Sequence, residues 1–66
     1  MFYVVNTQNP TAQSLMAYDN ELAAIVAYYN TLASNYSAYA AGTITGFIVC
    51  ILDSNLAQYE NYYEKR

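Results

Sequence analysis

The chain has 66 residues, of which 56% are hydrophobic and 11% charged, and its two Lys or Arg against five Asp or Glu leave a net charge of −3. One domain is the most that such a length supports, with a core worth roughly 3–5 kcal/mol. With no His and a single Cys the chain lacks both an internal disulfide and a Cys/His metal site, and with two cations it lacks the charge for broad phosphate binding.

The chain opens "MFYVVNTQNP", with no basic residue before position 65, so no secretory leader is expected. "FYVV" favours extended structure but is short, and "NTQNPT" breaks it, so residues 1–9 read as an N-terminal arm. Asn9 and Pro10 then form a helix start, Asn9 as cap and Pro10 at the first helical position, where its missing donor costs nothing.

From there Leu15, Tyr18, Leu22, Ile25, Tyr29, Leu32, Tyr36 and Tyr39 recur at alternating spacings of three and four, the seam of a coiled coil. Ala residues along the same stretch add helix propensity, and the seam tyrosines want hydroxyl partners or a wet edge. Gly42 is the expected C′ residue of this first helix, with Thr43 capping a second. In that second segment Ile44, Phe47, Ile48, Ile51, Leu52, Tyr59 and Tyr62 share one face at helical spacing, opposite Asp53, Glu60 and Glu64. A turn near Gly42 would set Asp19 and Glu21 against Tyr63 to Lys65.

The expected fold is therefore all-α: residues 10–66 as one helical hairpin, with helices at about 10–40 and 44–64, assembling into a larger homo-oligomer. One continuous bent helix is the alternative. It is favoured by Ser34, Ala38, Gly42, Gly46 and Cys50, small residues that recur every four positions and would let neighbouring helices approach closely.

No Asp, Glu, Lys or Arg occurs between Leu22 and Leu52, a stretch too long for a small monomer to hide from water. The fully apolar part, Ile44 to Leu52, would cover only about 14 Å as a helix, against about 30 Å of hydrocarbon, so protein partners are favoured over a membrane. Cys50 reads as a small buried hydrophobe and the acids as a solvated face. Asn35-Tyr36-Ser37 matches a glycosylation sequon short enough to arise by chance. Nothing pairs a nucleophile with a base, so neither catalysis nor a cofactor is expected.

The polar arm, the Ala- and Tyr-rich "LAAIVAYYNTLASNYSAYA", the small and apolar "AGTITGFIVCIL" and the terminal "EKR" together resemble the small all-α coat proteins of filamentous and rod-shaped viruses. The helical-hairpin coat of the clavaviruses is the nearer type and the inovirus coat the further one. That resemblance implies a structural subunit polymerising helically into a virion coat or extracellular filament, with copies of itself as partners and Lys65 and Arg66 as the contact to any enclosed nucleic acid. A small membrane protein, such as a lysis or accessory subunit, and a soluble dimeric helical adaptor are the alternatives.

Overall fold

A computed structural model describes residues 1–9, 13–55 and 58–65, with side chains described up to residue 55. Four strands and one helix follow in the order β1 (Phe2–Asn9), β2 (Gln13–Tyr18), α1 (Glu21–Ala40), β3 (Gly46–Leu52) and β4 (Gln58–Lys65). The strands form one antiparallel sheet in the order β2-β1-β3-β4. The all-α hairpin, its coiled coil and the continuous bent helix are all overturned by this sheet.

The local chemistry explains each correction. Residues 2–9, expected as an arm, form a central strand: β1 pairs with β2 from Phe2↔Tyr18 to Thr7↔Gln13 and with β3 from Tyr3↔Leu52 to Asn9↔Gly46. In "GFIVCIL" the β-branched residues favour extended backbone. Phe47, Val49 and Ile51 are buried, while Ile48, Cys50 and Leu52 alternate with them and are half-buried. An apolar run of this length satisfies a helical and an alternating pattern together, and pairing with β1 selects the strand. Leu15 and Tyr18 lie in β2, so the first two of the eight seam positions belong to a strand. Pro10, expected at the first helical position, and Arg66 lie outside the described residues.

The helix begins later than residue 10 because the cap lies in "YDNEL". Asn20 is extended (φ −136°, ψ 162°), and its side chain accepts a hydrogen bond from the Ala23 amide at 2.8 Å. Glu21 adds an acid to the first turn, where the helix dipole favours it. The other end closes on Gly42, whose φ of +80° lies in the left-handed region. The Gly42 amide donates to the Tyr39 carbonyl at 3.1 Å and the Thr43 amide to the Ala38 carbonyl at 3.0 Å, the paired bonds of a Schellman cap. The Thr45 amide then donates to the Asn9 carbonyl at 2.8 Å, delivering the chain into β3 beside β1.

α1 lies on one face of the sheet. Val4, Phe47, Val49 and Ile51 meet Ala24 and Tyr28 in the core, with Ile44 from the loop before β3. Phe47 is its aromatic centre, edge-on to Tyr36 at 5.4 Å and to Tyr39 at 6.5 Å between ring centroids.

The same register fixes where the charges sit. Asp19 and Glu21 follow the Tyr18 end of β2, and Asp53 follows Leu52, whose partner is Tyr3. Backbone pairing sets Lys65 opposite Phe47, at the far end of the sheet. Asp19 and Glu21 therefore do not meet Tyr63 to Lys65, as a hairpin would have required.

Candidate functional site

Strand alternation divides the side chains of β1 between two environments. On the helix side, Asn6 and Gln8 converge on Asn35 of α1, which is 1% exposed. The Gln8 side-chain amide donates to Asn35 Oδ1 at 2.7 Å, and Asn35 Nδ2 donates to Asn6 Oδ1 at 2.7 Å. No buried side-chain polar atom among the described residues lacks a partner. This chain of three amides ties α1 to β1 and fixes where the helix sits along the strand. Asn35 is thus enclosed and doubly bonded, out of reach of a glycosylating enzyme in the folded chain.

Removing it has a defined cost. Asn35→Ala leaves two amides of β1 facing apolar surroundings, and stability should fall by about 1–3 kcal/mol in urea denaturation. A loss below about 0.5 kcal/mol, the range of an ordinary surface substitution, would show that the network has no structural role.

The opposite side of the sheet is different. Leu15, Val5 and Cys50 stand in one cross-strand row, and Ala17, Tyr3 and Leu52 in the next. Gln13, Thr7 and Ile48 form a third row, so the face grades from apolar to polar along the strands. Tyr3, Val5, Ile48, Cys50 and Leu52 are half-buried and Leu15 is 53% exposed. Among the described residues α1 is the only helix, and it packs on the other face, so no second layer lies over these rows. Burial pushes the Cys50 thiol above its ordinary pKa, which leaves it a poor nucleophile and suits a packing role.

A second apolar surface runs down the outside of α1. Leu22, Val26, Tyr29 and Tyr36 are exposed, Leu22 at 73%. The expected seam is divided along the helix: Leu22 and Tyr29 face outward, Ile25, Leu32 and Tyr39 pack partly against the core, and Tyr36 is partly exposed while its ring stands edge-on to Phe47. An open cleft of about 520 Å³ runs beside Tyr18, Ala23, Val26, Ala27, Asn30 and Thr31. It is too open to enclose a small molecule and has no titratable group besides the Tyr18 phenol.

The remaining expected contact residues are dispersed. Ile44, Phe47 and Ile51 are core, and Ile48 is on the open face. Ser34 and Ala38 lie in α1, Gly42 in its cap, and Gly46 and Cys50 in β3, so the small-residue ladder forms no helical groove. A Cβ added at Gly42 would meet nothing within 4 Å, so that glycine serves the turn and no close neighbour. Lys65 is the far end of β4. Tyr3 and Val5 went unmarked in the sequence, and Leu52 was marked only for a helical face, because their significance depends on which strands are neighbours; the only local signal was the β-favouring "FYVV".

Among the described residues no group of three or more His, Cys, Asp or Glu could hold a metal ion. Nor is any helix there long and apolar enough to cross a membrane. No family model matches the chain, and no curated protein or solved structure matches it.

Proposed function

We propose that this chain is a structural subunit that associates with copies of itself, burying the open face of its sheet, and that the copies repeat into a coat or filament. The observation that carries the reading is the pair of apolar rows Leu15–Val5–Cys50 and Ala17–Tyr3–Leu52, which have no layer over them. A two-layer domain of this size leaves one sheet face for a partner, and across β2, β1 and β3 that face carries no charged residue, so this part of it meets its own copy without repulsion; Glu64 of β4, set opposite Ile48 by backbone pairing, lies at the polar end. The same face would add the apolar burial that a short chain lacks internally. The sheet takes away the helical-hairpin ground for likeness to a clavavirus coat; the structural-subunit reading rests on the surface instead. An enclosed nucleic acid would have to be met by Lys65 and Arg66, the only cations in the chain.

Sedimentation velocity over a concentration series, with electron microscopy of the same samples, tests it. Mass should grow with concentration toward repeating particles. A monomer that persists at tens of micromolar would refute the reading.

A further inference from the structure

The two edges of the sheet are built unlike one another. One edge is β4, whose sequence "QYENYYEK" carries Glu60, Glu64 and Lys65, and whose pairing with β3 is interrupted between Cys50 and Leu52. Charges and irregular pairing are the ordinary means by which an edge strand is kept from joining another sheet. The other edge is β2, "QSLMAY", which has none of them. It contains no charged residue, no Pro and no bulge, and its register with β1 is continuous over its whole length. Residues 13–17 are all exposed, Met16 at 57%. Its outer row of backbone N–H and C=O groups therefore faces water along a regular, uncharged strand.

We infer that β2 is a pairing edge whose occupant is β2 of a second copy, laid antiparallel so that two sheets join into one. This rests on the self-association proposed above and names the route by which it begins. The charges decide the direction. Parallel pairing would bring Asp19, Glu21 and Asp53 of both copies to the same end, whereas antiparallel pairing sends the two acidic ends apart. Geometry then restricts the register. Antiparallel strands in one sheet set residues of the same face opposite each other, so Met16 meets Met16 or Ser14, and Leu15 meets Leu15 or Ala17. The joint follows a two-fold axis perpendicular to the sheet, which puts both helices on one side. Two sheets of four strands become one of eight, and the uncovered face doubles without a break.

The test uses Met16→Lys and Met16→Glu in the full chain. Met16 points to the helix side of the sheet but lies beyond the core, so both variants should keep the wild-type circular dichroism, and neither touches the open face. Each variant alone sets like charges opposite or diagonal across the joint, and self-association should weaken at least tenfold by sedimentation. An equimolar mixture should regain it. Amide hydrogen exchange in residues 13–17 should slow as wild-type concentration rises and stay fast in either variant alone. If the wild type associates while both variants associate equally well, or if the mixture is no stronger than its parts, β2 is not the joint and self-association uses another surface. If the wild type stays monomeric throughout, self-association itself fails.

Discussion

Phe47→Ala should leave no stably folded protein at room temperature. Phe47 is fully buried, stands in a central strand and is held edge-on between Tyr36 and Tyr39. Truncating a buried phenylalanine costs about 3–5 kcal/mol, from lost transfer energy and from the cavity left behind. A domain of this length draws roughly 3–5 kcal/mol from its core in total, so one substitution removes most or all of it. Phe47→Leu keeps most of the volume and should cost about 1–2 kcal/mol, remaining folded with a lowered melting temperature. Circular dichroism melts of both variants beside the wild type read the difference. A cooperative transition for Phe47→Ala within a few degrees of wild type would show that the core is not centred there.

Val5→Lys should abolish association through the open face while the monomer stays folded. Val5 lies in β1 between Leu15 and Cys50, at the centre of the apolar rows. In the monomer the side chain is only half-buried, and a lysine can lay its methylene stem along the sheet with the ammonium in water. Once a second copy covers that face the ammonium is pressed among the apolar rows, and an unpaired buried charge costs about 3–5 kcal/mol. The association constant should fall by more than about a hundredfold. Thr7→Lys, at the polar end of the same face, should have a much smaller effect. If Val5→Lys sediments like the wild type, the open face is not an interface, whatever the behaviour of the β2 edge.

These two substitutions mark the limits of what the sequence disclosed. The end of α1 was legible, because a glycine after "AYAA" and before β-branched residues can be read locally, and Gly42 has the left-handed backbone that role requires. The start was not, because Leu15 and Tyr18 fell by coincidence on the heptad spacing and hid the cap at Asn20. "GFIVCIL" was ambiguous for a physical reason: when nearly every residue is apolar, no period stands out, and only the partner strand decides. The partner was β1, whose second half "NTQN" looked like a break. Its polar residues are tolerated there because Asn6 and Gln8 end on Asn35, a contact across more than twenty residues that no local pattern contains. The expectation of a partner rested on the uncharged stretch alone. The faces that would meet it could not be read, since they are assembled from three strands.

The gathering of three acids at one end has an electrical consequence. Asp19, Glu21 and Asp53 lie at one end of the sheet, while at the other Lys65 stands next to Glu64, so a single copy is more negative at the Tyr18 end and carries a dipole with a component along its strands. Two copies joined antiparallel cancel that component. Along the strands a single molecule would be turned by an electric field where the joined pair would not, and polarity of a filament in that direction would have to come from the way pairs stack, since each pair is directed only along its two-fold axis, from the open face to the helix side.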